Sequence, residues 1–148
     1  VIASPFVGWE EGLQPVFEVA ERMGRGVIVL VYMSHKGADE GYGQIVQDPK
    51  TRRLRHQYVL FAEKAYQWNA DGVIVGATYP EKIREVYKIL KARVPIYSPG
   101  VGAQGGDIKA AVKAGARYLI VGRAIIQAGD IAKVAERFRN SAQKCLKS

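Results

Sequence analysis

The sequence has little cysteine, few histidines and no long hydrophobic run, and each shortage excludes a class of protein. The single cysteine, Cys145, cannot form a disulfide within the chain, which excludes a disulfide-stabilised secreted scaffold. The two histidines, His35 and His56, have no companions at metal-ligand spacing, so no metal site is predicted. The densest apolar run, Val27–Met33, is far shorter than the roughly 18 residues of a membrane helix. The opening segment also lacks the basic start of a secretory signal, and a cytoplasmic globular domain is therefore predicted.

The composition suits one globular domain with a basic surface. Of the 148 residues, 48% are hydrophobic and 24% are charged, and the net charge is +8. Only residues 50–55 form a dense basic cluster, and no aromatic stacking motif accompanies it, so nucleic acid is not the predicted partner. A solvated basic surface or a small phosphorylated ligand explains the charge better. The chain begins at Val1 without an initiator methionine, and we expect an N-terminal portion to precede it.

Short apolar segments alternate with helical patterns along the chain. The apolar segments are rich in β-branched residues and predict strands buried on both faces, at Val1–Ala3, Val27–Tyr32, Gly72–Val75, Val94–Tyr97 and Tyr118–Val121. Apolar residues at helical spacing predict helices over residues 10–24, 54–69, 80–91 and 107–114, and from residue 131 onward. Residues 36–51 are predicted to form a long loop. This alternation predicts a parallel α/β sheet and leaves open whether the sheet is doubly wound or part of a barrel.

Capping residues mark the starts of three predicted helices. Thr78 and Glu81 have the spacing of a capping box ahead of the helix over 80–91. Asp107 and Asp130 are predicted N-caps, because a carboxylate there can accept a hydrogen bond from the first helical turn.

Two neighbouring strand ends carry residues that suit a phosphate group. Residues 98–107 include several closely spaced glycines, which let backbone N–H groups approach an anion, and Asp107 opens a helix just beyond. At the next strand end, Gly122 offers a backbone donor and Arg123 a guanidinium that can grip two phosphate oxygens. In a (β/α)₈ barrel the loops after the last two strands form the usual phosphate site. The plainer alternative is two tight turns with a surface arginine.

Three motifs stand at the ends of predicted strands: Met33-Ser34-His35-x-Gly37-Ala38, the segment from Ser98 to Asp107, and Ile120-Val121-Gly122-Arg123. Together they resemble the archaeal type of orotidine 5′-phosphate decarboxylase, and the resemblance extends over essentially the whole chain. It implies an α/β fold, a (β/α)₈ TIM barrel, of which this chain supplies about strands four to eight. Residues 1–148 would then be the C-terminal part of a single barrel domain. The resemblance further implies a homodimer that acts on orotidine 5′-monophosphate without cofactor or metal.

The resemblance also implies substrate-binding roles for individual residues. Ser34 would bond the pyrimidine ring, and Gln104 would bridge Ser34 and the phosphate from a loop that closes over the ligand. Met33 and Pro99 would line the base pocket, while Arg123 with its neighbouring glycine would bind the phosphate. The full set of predicted substrate-binding residues is Met33, Ser34, Pro99, Gly100, Val101, Gly102, Ala103, Gln104, Gly105, Gly106, Asp107, Gly122 and Arg123.

The reaction centre of the family is missing from this chain. That centre is an Asp-x-Lys-x-x-Asp motif on an earlier strand, with another Asp and Lys still earlier, and its lysine protonates C6 of the pyrimidine. The nearest matches, Asp48-Pro49-Lys50 and Asp107-Ile108-Lys109, lack the second aspartate. No catalytic residue is therefore predicted here, and the missing N-terminal half of the barrel is the expected partner. Two alternatives stay open: an inactive half-barrel that binds a phosphate ligand, and another phosphosugar lyase or isomerase of the same barrel group.

Overall fold

The computed structural model describes residues 1–102 and 104–146, so Ala103, one of the predicted substrate-binding residues, lies outside the described residues. The strands are β1 (Ile2–Ala3), β2 (Ile28–Tyr32), β3 (Ile45–Gln47), β4 (Leu54–His56), β5 (Gly72–Val75), β6 (Ile96–Pro99) and β7 (Ala116–Ile120). The α-helices are α1 (Gln14–Arg22), α2 (Ala38–Gly41), α3 (Gln57–Gln67), α4 (Pro80–Leu90), α5 (Ile108–Ala114), α6 (Arg123–Ile126) and α7 (Ile131–Leu146).

Two irregular turns precede α1. They are a 3₁₀ turn at Pro5–Val7 and a π-type turn at Trp9–Leu13. Glu11 has a φ of 57° within the second turn, which interrupts the helical path. The helix predicted over residues 10–24 is therefore shorter and begins at Gln14.

Five parallel strands form the main sheet, in the order β1-β2-β5-β6-β7. Each of these strands pairs with the next parallel strand along the chain, so the order runs in one direction. A doubly wound sheet reverses its direction at a switch point, and this sheet has no reversal. The one-directional order is that of a barrel segment, which decides between the two architectures that the sequence leaves open.

The two faces of this sheet are covered to different extents. Val29, Val31 and Val73 are fully buried and share one core with α3 and α4. On the opposite face Tyr97 stacks on Tyr118, with ring centroids 4.6 Å apart. Tyr118 is 47% exposed. The side away from the helices is therefore partly open, as expected for the inner face of a barrel that is not closed.

The segment between β2 and α3 differs from its sequence-based prediction. Where the sequence predicts a loop over 36–51, the structure has α2 and the antiparallel hairpin formed by β3 and β4. The helix predicted over 54–69 begins only at Gln57, so the prediction is wrong for Leu54–His56.

Polar contacts in the hairpin explain this difference. Asp48 is buried, and its carboxylate accepts hydrogen bonds from the Lys50 N–H at 2.8 Å and the Thr51 hydroxyl at 2.7 Å. These bonds, that of Thr51 first, lower the pKa of Asp48 to about 2. Arg55 of β4 reaches Asp48 at 3.3 Å and pairs with both oxygens of Glu63 on α3, at 2.6 and 3.0 Å. This network closes the turn and holds β4 against α3. Hydrophobic periodicity could not predict it, because the contacts are between polar side chains.

Helix caps agree with the sequence at two of the three predicted positions. The carboxylates of Asp107 and Asp130 accept hydrogen bonds from the N–H three residues later, at 2.6 and 2.9 Å, which confirms both N-caps. The capping box at Thr78 is wrong: Tyr79 occupies the N-cap position of α4. The Thr78 hydroxyl instead donates to the carbonyl oxygen of Ser34 at 2.9 Å, because the end of β2 lies next to it.

The outer strands of the sheet lead to a prediction about solubility. In the described structure β1 and β7 each pair on one side, and Ile2 and Ile120 are 56% and 42% exposed. Open edges with apolar residues pair with other chains, and barrel closure removes them. We expect the 148-residue chain alone to aggregate or form multimers, and to become soluble when a segment that closes the barrel is added. Sedimentation of the pure chain measures this, and a stable, cooperatively folding monomer would contradict it.

Candidate functional site

The ends of β2 and β6 meet around Gly100. A Cβ atom at Gly100 would lie 2.8 Å from the Ser34 Cβ and 2.8 Å from the Gln104 Oε1. Gly100 also has a φ of +96°, a conformation that favours glycine. Any larger residue there would displace one neighbour or the other. The structure therefore brings Ser34, the predicted base-binding residue, and Gln104, the predicted bridge to the phosphate, against the same backbone position.

Gly76, directly after β5, supports the other side of Ser34. A Cβ atom at Gly76 would lie 2.6 Å from the Ser34 Cα and 2.9 Å from the Met33 carbonyl oxygen. The Gly76 N–H donates to the Tyr32 carbonyl at 3.0 Å. Since these close neighbours are backbone atoms, they cannot move aside as a flexible side chain would. Ser34 is thus packed between the ends of β5 and β6.

The glycine-rich loop after β6 folds back on itself. The Gly106 N–H donates to the Gly100 carbonyl at 3.0 Å, and the Gly105 N–H donates to the Gly102 carbonyl at 2.9 Å. Gly102 and Gly105 have φ values of +78° and +83°. Val101 is buried and anchors the loop to the core. The loop is a compact turn whose shape depends on glycines in the left-handed region.

The second predicted phosphate-binding motif lies next to this loop. Gly122 follows β7 and is exposed, and a Cβ atom there would meet open space. Arg123 begins α6 and is also exposed. A Cβ atom at Gly102 would lie 3.2 Å from the Cβ of Ala124, so the glycine loop touches the start of α6. The structure therefore places both predicted phosphate-binding segments side by side, with the guanidinium accessible to a ligand.

The predicted base-pocket residues lie at the same end of the sheet. Met33 and Pro99 are half-buried, and the Met33 Sδ lies 3.3 Å from the His35 Nε2. The Pro99 carbonyl accepts from the Ala77 N–H at 2.8 Å, which ties the end of β6 to the segment after β5. Asp107 is exposed at the start of α5. The described members of the predicted set thus share the carboxyl end of the sheet, where barrels of this class have their sites.

Sequence reasoning missed two residues that hold this site. The Thr78 hydroxyl bonds the Ser34 carbonyl, and the Tyr79 hydroxyl donates to the His35 carbonyl at 3.2 Å. Both bonds join residues 44 positions apart in the chain. No local pattern signals a contact over that distance, and a threonine ahead of a proline resembles a helix cap instead.

Neither a metal site nor a membrane span is found in the described part of the chain. Within residues 1–102 and 104–146, no group of three or more His, Cys, Asp or Glu side chains is placed to hold a metal ion. None of the helices in the same ranges combines the length and the apolar character needed to cross a membrane.

A one-directional parallel sheet, with a glycine loop and a Gly-Arg turn side by side at its carboxyl end, defines part of a (β/α)₈ barrel. The model of the orotidine 5′-phosphate decarboxylase / HUMPS family matches residues 1–138, and the chain belongs to this family. The resemblance seen in the strand-end motifs is thereby confirmed.

Curated relatives show the same affiliation. An orotidine 5′-phosphate decarboxylase from Methanococcoides burtonii is 34% identical over 137 residues, which cover 93% of this chain and 58% of the relative. The enzyme of the same name from Pyrococcus horikoshii is 40% identical over 136 residues, covering 92% of this chain and 57% of the relative. The chain therefore spans little more than half the length of these relatives.

Solved structures agree with the fold. Orotidine 5′-monophosphate decarboxylase from Methanocaldococcus jannaschii, complexed with the inhibitor BMP, matches with a TM-score of 0.79 and 30% identity, covering 94% of this chain and 59% of that one. The Pyrococcus horikoshii structure matches with a TM-score of 0.73 and 36% identity, covering 97% and 60%. In both comparisons nearly all of this chain corresponds to part of the larger enzyme.

Proposed function

We propose that this chain is the substrate-binding, C-terminal part of an orotidine 5′-phosphate decarboxylase. That enzyme converts orotidine 5′-monophosphate to uridine 5′-monophosphate (UMP) and CO₂ in pyrimidine biosynthesis. The observation that carries the proposal is the packing of Ser34 and Gln104 against Gly100 at the carboxyl end of the sheet. In the family the residue at the Ser34 position bonds the base, and the residue at the Gln104 position bridges it to the phosphate. Contact with the same glycine would keep the two side chains close enough for that bridge.

The phosphate and the base would be bound by different parts of the site. Arg123 and the glycine loop would hold the phosphate, because a guanidinium and closely approaching N–H groups match its oxygens. Ser34, with Met33 and Pro99 beside it, would hold the pyrimidine. Loss of CO₂ leaves a carbanion at C6, and binding energy from the distant phosphate is available to lower that barrier. Closure of the loop carrying Gln104 would exclude water from the base.

The acid that protonates C6 would come from the N-terminal half of the barrel. The sequence contains no Asp-x-Lys-x-x-Asp motif, and the chain covers only 58% of the relative from Methanococcoides burtonii. We call this chain, joined to that N-terminal half, the completed barrel. The completed barrel would act as a cytoplasmic homodimer and would need no cofactor or metal.

A double-mutant cycle in the completed barrel tests the proposed site. Ser34→Ala and Gln104→Ala should each weaken UMP binding, measured by calorimetry. Because both substitutions remove one bridge, the double variant should lose less than the sum, with a coupling of about 0.5–3 kcal/mol. Gln143→Ala, at an exposed position of α7, is the matched control and should leave UMP binding and the effect of Ser34→Ala unchanged.

Two outcomes would count against the proposal. Strict additivity of Ser34→Ala and Gln104→Ala would show that the two residues act separately. Tighter binding of an open-chain sugar phosphate than of UMP would favour another lyase or isomerase of the same barrel group.

A further inference from the structure

Lys82 of α4, which is not one of the predicted binding residues, is surrounded by aromatic rings. Its Nζ lies 4.4 Å from the ring centroid of Tyr32, 5.1 Å from that of Tyr58 and 5.5 Å from that of Tyr79. The same Nζ lies 3.3 Å from the Oδ1 of Asp39. The Lys82 side chain is only 16% exposed. An ammonium group this well enclosed interacts with ring faces and carboxylate more strongly than a surface lysine does.

The tyrosines that surround Lys82 are themselves partnered. Tyr32 is fully buried, and its hydroxyl donates to the Asp39 carboxylate. Burial, and then this bond, raises the pKa of Tyr32, so it remains a donor. The bond from Tyr32, together with the charge of Lys82, lowers the pKa of Asp39 and keeps its carboxylate ionised. Tyr58 donates to Glu85 at 2.5 Å. Asp39, whose side chain is 62% exposed, is therefore held from two sides, by Tyr32 and by Lys82.

Asp39 belongs to the same short segment as Ser34. We call residues 33–41 the Ser34 segment; it runs from the end of β2 through α2. The start of α4 holds its first part through the two bonds from Thr78 and Tyr79 to backbone carbonyls. Lys82, in the first turns of the same helix, holds its second part through Asp39. The first turn of α4 and the two residues before it thus contact both parts of the Ser34 segment, and Lys82 supplies the charged contact.

We infer that Lys82 is a positioning residue for base recognition: by holding Asp39 within the tyrosine cluster, it fixes the Ser34 segment so that Ser34 meets the pyrimidine. This inference rests on the proposed function, since it takes the base to be the group that Ser34 binds. Lys82 would act through Asp39 and not by contact with the ligand. Its loss should therefore affect recognition of the base and spare recognition of the phosphate, which depends on segments after β6 and β7.

Ligand selectivity in the completed barrel tests this inference. Lys82→Met keeps most of the length of the side chain and removes its charge, and it should raise the dissociation constant for UMP about five- to tenfold. The dissociation constant for ribose 5-phosphate, which has no base, should change by less than about twofold. Lys82→Arg should restore most of the UMP affinity, because arginine also pairs with a carboxylate and stacks on rings. Lys88→Met, at an exposed position of the same helix, is the matched control and should have no effect.

Hydrogen exchange provides a second readout that needs no ligand. Amides of residues 34–41 should exchange faster in Lys82→Met, while those of β5 and β6 should keep their protection. Equal weakening of UMP and ribose 5-phosphate binding would overturn the inference and indicate a general structural role. Unchanged exchange at 34–41 would also overturn it, because it would show that Lys82 does not hold the Ser34 segment. If the parent completed barrel does not bind UMP, the proposed function is overturned, and the role of Lys82 in base recognition falls with it. If the parent binds UMP and Lys82→Met binds it equally well, only the role of Lys82 is overturned.

Discussion

The 148-residue chain alone is expected to release no measurable CO₂ from orotidine 5′-monophosphate, whereas the completed barrel is expected to do so rapidly. The chain carries the residues proposed to grip phosphate and base, but no Asp-x-Lys-x-x-Asp motif. A positioned general acid contributes roughly 100- to 10,000-fold to a rate, and here the carboxylates of the motif are missing as well. Activity should therefore fall by at least about 1,000-fold without the N-terminal half.

Release of labelled CO₂ from carboxyl-labelled substrate measures this difference. The control is a completed barrel in which alanine replaces the motif's lysine in the N-terminal half. That protein should bind UMP normally, because its binding residues are intact. It should be inactive, because it lacks the lysine that protonates C6. Turnover by the isolated chain at a rate near that of the completed barrel would show that the acid lies in this chain.

Arg123→Ala in the completed barrel is expected to weaken UMP binding about ten- to a hundredfold, since a charge-assisted hydrogen bond contributes about 1.5–3 kcal/mol. Binding of uridine, which lacks the phosphate, should hardly change. The physical reason is that Arg123 is exposed at the start of α6, beside the glycine loop that is proposed to hold the phosphate. Arg123→Lys should recover part of the loss, because an ammonium keeps the charge without the two-pronged geometry.

Arg117→Ala is the matched control for Arg123→Ala. It removes the same charge from an exposed position in β7, before the strand end that leads to Arg123. Arg117→Ala should change the binding of UMP and of uridine equally little. Calorimetry with both ligands separates a specific phosphate contact from the general attraction of a basic protein for an anion. Equal losses of UMP and uridine affinity in Arg123→Ala would place Arg123 away from the phosphate.

Local features of the fold could be predicted from the sequence. The strand at Gly72–Val75 is found with the predicted bounds, because a short β-branched segment buried on both faces leaves an unambiguous pattern. Asp107 and Asp130 cap their helices as predicted, since that bond spans only three residues. Features that depend on distant partners could not be predicted in this way. Thr78 bonds Ser34 rather than its own helix, and Arg55 lies in a hairpin strand stabilised by Asp48 and Glu63.

The sequence by itself determined which residues are available for binding and to which family the chain belongs. The strand-end motifs around Ser34, Gln104 and Arg123 are contiguous stretches of chain, and such stretches can be recognised without coordinates. Only the tertiary structure decided that the sheet runs in one direction, that Ser34 and Gln104 both lie against Gly100, and that Lys82 contacts Asp39 in the Ser34 segment. Hydrophobic periodicity reports which face of an element is buried, whereas strand order and contacts between distant residues depend on how the elements pack together.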